Sequence, residues 1–195
     1  MRRTDGLALR REGFHKSLTK GPRGASGGKT ELKAVSKLGW TAYLAAVLVI
    51  ALDQASKHWI MEGLQLAARG SIPVWGPLRL TWLENRGVSF GMLHSDGAAG
   101  RWLLTGFALA VACVIGWLAR RSERPLVALA FGLMIGGAVG NAIDRIRFGA
   151  VIDFIDVQAL YFPWVFNVAD SALTVGVVLL LIDMLADKPD QASAV

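Results

Sequence analysis

Four long apolar stretches constrain this chain more than any other feature. Residues 38–60, 102–119, 126–143 and 166–185 carry few charges. Each is close to the ~20 apolar residues that a helix needs to cross bilayer hydrocarbon. Hydrocarbon offers no partner for backbone N–H and C=O groups, so a spanning segment satisfies them internally as a helix. A soluble protein could bury such helices only in a large core, and 195 residues do not build one around four of them. Composition agrees: charged residues make up 18%, against about 25% in ordinary soluble domains. The expected fold is an all-α membrane protein of four transmembrane helices.

Lys and Arg near the segment ends set the orientation. Ten Lys/Arg against three Asp/Glu lie within residues 1–37, a net +7, and the link RRSERP (120–125) adds three arginines. Those two regions are expected to share the cytoplasmic side. Residues 61–100 and 144–165 then lie outside, and the short tail 187–195 returns to the cytoplasm. The N-terminal stretch accounts for the whole formal net charge of +6 and leaves the rest of the chain nearly neutral, so the charge describes a tail rather than a nucleic-acid-binding surface, and no nucleic acid partner is expected. Residues 1–37, rich in Gly and small polar residues over 21–30, read as a basic, disordered tail. The first apolar stretch has three successors and is expected to be a retained anchor, not a cleaved leader. Cys113, the single cysteine, lies in an apolar run and is expected to pack there.

The outer loop has its own pattern. In SIPVWGPLRLTWLENRG (71–87), Leu78, Leu80 and Trp82 alternate with Arg79 and Thr81. That alternation predicts a strand with one apolar face. Trp75 and Trp82 suit the depth where headgroups meet hydrocarbon. A small sheet on the outer leaflet is therefore expected beside the helices.

The polar residues cluster at one depth. GNAIDRIRFGAVIDFIDV (140–157) follows the third apolar stretch directly, and FNVADSAL opens the fourth. Asn141 and Asp144 are three apart and share a helical face if the helix continues. Arg147, Phe148 and Gly149 read as a turn. Asp153 sits in an apolar frame, VIDF, and Asp170 follows seventeen residues later with the YFPW turn between them. Ionisable groups at the membrane boundary are functional candidates. Two carboxylates brought together share one proton, because both cannot ionise cheaply. Such a pair can take a proton from water and give one to a leaving group, which is peptide hydrolysis without metal or cofactor. Structural alternatives stand beside this reading. Asp170 can cap the fourth helix, Asp153 can be a surface acid, and Asp144 can pair with Arg145. Asn141 and Asn167 can serve as loop or cap residues. Asp53 and Lys57 have the i,i+4 spacing of an ion pair. The histidines have no ligand spacing, and neither a metal nor a cofactor is expected. Small residues in GLMIGGAVG (132–140) permit close helix contact.

Four blocks now occur in order: DQASK (53–57), ENRGVSFG (84–91), GGAVGNAIDRIRFGAVIDFI (136–155) and FNVADSA (166–172). On these blocks the chain resembles lipoprotein signal peptidase, the type II signal peptidase of bacteria, over about residues 38–186. The resemblance implies a membrane aspartic endopeptidase. Such an enzyme removes the signal peptide of a prolipoprotein, cutting before a cysteine that already carries diacylglycerol. It implies that Asp153 and Asp170 are the catalytic pair. It also implies that Asp53, Asn85, Gly87, Asn141, Asp144, Arg145 and Asn167 bind substrate or support the site. Val88 and Ser89 after Gly87 depart mildly from the family's pattern. The implied partners are the diacylglyceryl-modified prolipoprotein and membrane phospholipid, with the enzyme a monomer. The implied location is the bacterial inner membrane, with both termini cytoplasmic and the active site at the outer face. The competing function on residues alone is a small transporter or proton-coupled channel that uses the same aspartates.

Overall fold

The computed structural model describes residues 34–87 and 98–186. The expected tail 1–37, save its last four residues, lies outside the described residues, as do Val88, Ser89 and 187–195. Among the described residues four helices are long and apolar enough to cross a membrane: Lys37–Gly63, Ala98–Ala119, Pro125–Phe148 and Val168–Ala186. The shortest has 19 residues, about 28 Å at the helical rise. The chain is thus a multi-pass membrane protein with a small sheet.

Helix α1 (Lys37–His58) starts at Ser36, whose hydroxyl accepts the Gly39 N–H at 2.9 Å. That bond satisfies one of the first-turn amides that no helix can pair internally. A π-helical turn, Trp59–Gly63, and the one-turn helix α2 (Leu66–Arg69) lead into the sheet. Strands β1 (Ser71–Trp75) and β2 (Leu78–Asn85) form a hairpin. Gly76 has φ +52° at the first central position of its two-residue turn, where a left-handed residue matches strand twist. Then come α3 (Ala98–Ala119), α4 (Pro125–Phe148), β3 (Val151–Asp156), β4 (Val165–Phe166) and α5 (Val168–Ala186). The sheet order is β1-β2-β3-β4, with antiparallel pairing throughout. Leu80 and Trp82 do point as the alternation predicts, into a cluster with Ile60, Leu66 and Phe154.

One segment gains an element and one reading changes. VIDFID, to which the sequence assigned no element, is a strand, β3, buried along almost its whole length. Arg147 and Phe148 remain helical, and only Gly149, at φ +83°, turns the chain. The helix persists because nothing in DRIRF breaks it and the first residue able to adopt a left-handed backbone is Gly149.

Helix α4 is the hub, packed against α1, α3 and α5. Small residues make this possible. A side chain at Gly136 would start 2.6 Å from Val49 Cβ, and one at Gly137 would meet Leu173 Cγ at 2.7 Å and the Ala169 carbonyl. Gly137→Val is therefore expected to destabilise the protein by about 3 kcal/mol through overpacking. Gly106→Ala, which meets nothing within 4 Å, is expected to leave stability unchanged or slightly improved. Thermal unfolding in detergent micelles compares them; equal melting would contradict the close approach. At the opposite end from the sheet, Arg124, the N-cap of α4, bonds Asp183 of α5 at 2.9 Å. Cys113 is exposed on α3 rather than packed inside. Of that helix's surface only a stripe is buried, and an apolar remainder is what lipid accepts.

Candidate active site

Asp153 and Asp170 reach the same place from different directions. Asp153 projects from β3, one strand in from the sheet's β4 edge. Because side chains alternate along a strand, it points to the opposite face from Asp156. Asp170 stands in the first turn of α5. Both line one cavity of about 550 Å³, together with Asn85, Phe162, Trp164 and residues of the first two turns of α5.

Asparagines hold the two acids. Asn85 donates to Asp153 Oδ2 at 3.0 Å, and Asn167 donates to Asp153 Oδ1 at 2.7 Å. Asn141 donates to Asp170 Oδ1 at 2.7 Å. Asn167 also donates to the Asn141 side-chain oxygen at 3.1 Å, which links the two carboxylates through two side-chain amides in series. Its position follows from local sequence. Asn167 is the N-cap of α5: its Oδ1 accepts the Asp170 N–H at 2.9 Å, and its own N–H donates to Asp170 Oδ2 at 3.3 Å. This reciprocal arrangement is a capping box. Asp170 is thus not the cap residue, as one alternative had it, but the acid three residues on. Gly87 sets the amide of Asn85. Its N–H donates to Asn85 Oδ1 at 3.1 Å, and its φ of +106° suits only a residue without a side chain.

Asp153 is 1% exposed. Burial, followed by the nearby Asp170 charge, pushes its carboxyl up to about 6, against the opposing pull of the Asn85 and Asn167 hydrogen bonds. Asp156 behaves oppositely. The Thr81 hydroxyl at 2.6 Å and the Gln158 N–H hold its carboxyl below the usual range. Of the two acids in VIDFID, only Asp153 faces the cavity and has its carboxyl pushed upward.

A second polar cluster lies behind the first. Lys57 bonds Asp53 at 2.8 Å and Asp144 at 2.6 Å, with all three side chains at most 1% exposed. The i,i+4 pair of Asp53 and Lys57 is therefore present. The expected pairing of Asp144 with Arg145 is not, because consecutive residues on a continuous helix point about 100° apart and Lys57 occupies Asp144. Arg145 instead lies beside Asn141, donating to its carbonyl at 3.5 Å. Its Nε is buried without a partner.

Sequence reasoning missed the aromatic wall, Phe162 and Trp164, and the role of Gln54, whose amide donates to Asp144 at 2.9 Å and to Asp53 at 3.1 Å. The YFPW segment carried a signal for the wall, since aromatic residues in a loop between two acids have to cover something. Nothing local singled out Gln54. Among the described residues no three His, Cys, Asp or Glu side chains converge as metal ligands.

The profile of the signal peptidase (SPase) II family matches residues 45–186. A lipoprotein signal peptidase of Caulobacter vibrioides is 47% identical over 161 residues, covering 82% of this chain and 95% of that protein. One from Rhodopseudomonas palustris is 42% identical, covering 75% and 92%. Two solved structures of bacterial membrane enzymes superpose with TM-scores of 0.67. They are 28% and 30% identical and cover 83% and 80% of this chain, and 97% and 98% of their own.

Proposed function

The chain belongs to the signal peptidase II family, and from that premise we propose that it is an aspartic endopeptidase with Asp153 and Asp170 as its catalytic pair. Its substrate is a diacylglyceryl-modified prolipoprotein, cut before the lipidated cysteine. The observation that carries this reading is the shared cavity into which both acids project.

The chemistry follows from one proton on two carboxylates. The ionised member takes a proton from water, and the resulting hydroxide attacks the scissile carbonyl carbon. The protonated member gives its proton to the carbonyl oxygen. The tetrahedral diol then collapses: the acid that took the proton from water gives it to the amide nitrogen, the C–N bond breaks, and a diol hydroxyl returns its proton to the other acid, which restores the pair. Asn85, Asn141 and Asn167 keep both carboxyl planes fixed through these steps. The cavity extends along Thr174 and Val175, both exposed on a spanning helix, so acyl chains and an apolar signal helix can reach it from the bilayer.

The peptidase domain is residues 38–186, and a monomer suffices for it, since one chain supplies both acids. Positive charge at the first helix and at RRSERP puts both termini in the cytoplasm of a bacterial cell and the sheet with its acids at the outer face of the inner membrane. The test is cleavage of a diacylglyceryl-modified prolipoprotein by the purified full chain in lipid micelles, with the unlipidated precursor as control. Cleavage of the lipidated form, undiminished by EDTA, is expected; equal cleavage of both forms would remove the substrate assignment.

The pH profile supplies a second check. Asp153 retains its proton up to about pH 6, and above that point the pair loses its acid. kcat/KM is expected to decline with rising pH through a limb near that value. The limb belongs to the coupled pair, not to one residue. The sign for stability is the same. The folded carboxyl binds its proton more tightly than the unfolded one, at 3.8, so stability falls as pH rises from about 4 to about 6. A flat kcat/KM from about pH 5 to about pH 8 would contradict the shared proton.

A further inference from the structure

The cluster behind the cavity grips the backbone beside each acid. Asp144 Oδ2 accepts the N–H of Ile152, the residue immediately before Asp153, at 3.1 Å. Asp53 Oδ1 accepts the N–H of Ala169, the residue immediately before Asp170, at 3.0 Å. The Ala169 amide belongs to the first turn of α5, where no intrahelical partner exists. Between the two carboxylates stands Lys57, bonded to both. Gln54 bonds both as well, and Arg147 holds the Gln54 carbonyl at 3.3 Å.

We propose that Lys57 is a positioning residue: its ammonium ties together the two carboxylates that hold the chain next to Asp153 and next to Asp170, and so sets the placement of one acid against the other. This rests on the reading that those two acids perform the hydrolysis. Lys57 does not line the cavity and touches no reacting atom.

The arrangement is hard to explain by stability alone. Burying three charged groups is costly, and apolar residues of similar volume often stabilise a protein as well or better. Apolar residues cannot, however, accept two backbone N–H groups from separate elements and hold them at one separation. β3 and α5 are connected along the chain through residues 157–167, and at the front by the Asn167 side chain, which bonds Asp153 and caps α5. A common anchor on α1 fixes the backbone of both from behind. The charge also matters to the pair. The charges that act on Asp153 are Asp170 of α5, Lys57 of α1 and Arg145 of α4, and the Lys57 charge favours ionised Asp153.

The test compares wild type, Lys57→Met and the triple variant Asp53→Asn, Lys57→Met, Asp144→Asn, all as full chains in lipid micelles with the lipidated precursor. The triple variant keeps two carbonyl acceptors and leaves no buried charge unpaired. Folded fraction, KM, kcat per folded enzyme and the pH dependence of kcat/KM are measured. A misplacement of about 1 Å in a catalytic group costs on the order of 100-fold, so kcat of the folded Lys57→Met enzyme is expected to fall by about that factor. KM should stay within about threefold, and the alkaline limb should move to higher pH. The triple variant is expected to fold as wild type does, with kcat still reduced. Wild-type kcat and pH limb in either folded variant would overturn the proposal. Failure of both variants to fold would overturn it too, by making the cluster a folding element. Asp153→Asn in the same series separates the two readings: if it still cleaves, the catalytic assignment fails, whereas if it is inactive and the Lys57 variants are not, only the positioning role fails.

Discussion

Replacing Asp153 or Asp170 by asparagine is expected to lower kcat by on the order of 10⁴-fold, the upper range for loss of a positioned acid or base. The fold should survive, because asparagine is nearly isosteric with aspartate and removes a buried charge. At Asp153 the side-chain carbonyl can still accept from Asn167, which donates at 2.7 Å in the wild type. At Asp170 it can still accept from Asn141. The two losses should not add. Once either carboxylate is gone the shared proton is gone, so the double variant is expected to be no worse than the singles. A double variant with an additional loss equal to either single one would mean that the acids act separately. Cleavage surviving either substitution would remove that residue from the pair.

The second large effect is expected at Asn167. Its side chain donates to Asp153 and to Asn141, and it accepts the Asp170 N–H as helix cap. Asn167→Ala removes a cap worth ~1 kcal/mol and leaves a buried carboxylate oxygen short of a donor, about 1–3 kcal/mol more. Stability should fall by about 2–4 kcal/mol in all, and kcat by roughly 100-fold as the acids lose their common tether. Asn167→Ser separates the two effects. Serine caps helices well but is too short to reach Asp153, so melting should recover in part while kcat does not. Parallel recovery of both would mean that Asn167 acts on catalysis only through the helix cap.

Parts of this molecule are written locally in the chain. The four spanning helices follow from length and apolarity, and the glycines of GLMIGGAVG do meet neighbouring helices, at Val49 and Leu173 among others. The alternation at Leu80 and Trp82 foretold a strand, and the spacing of Asp53 and Lys57 foretold an ion pair. Other parts were misread for identifiable reasons. Asp144 looked bound to Arg145 because they are adjacent, yet its partner comes from another helix. VIDFID carries no period-two pattern, because its two acids stand three apart and fall on opposite faces of β3. Asp170 looked like a cap because the capping residue, Asn167, stands three positions earlier and bonds it in both directions.

What the chain settles by itself is whatever depends on near neighbours: which segments enter lipid, where helices begin, and which acids stand in apolar surroundings. These follow from hydropathy and hydrogen-bonding rules that act over a few residues. Only the tertiary structure decided that Asp153 and Asp170 open onto one cavity, that Asn167 joins them, and that Lys57 anchors the backbone behind both. Those relations depend on bonds between residues as far as 116 positions apart. No local pattern records them, because contacts at such separations are set by how the helices pack around α4 and not by the order of residues along any one of them.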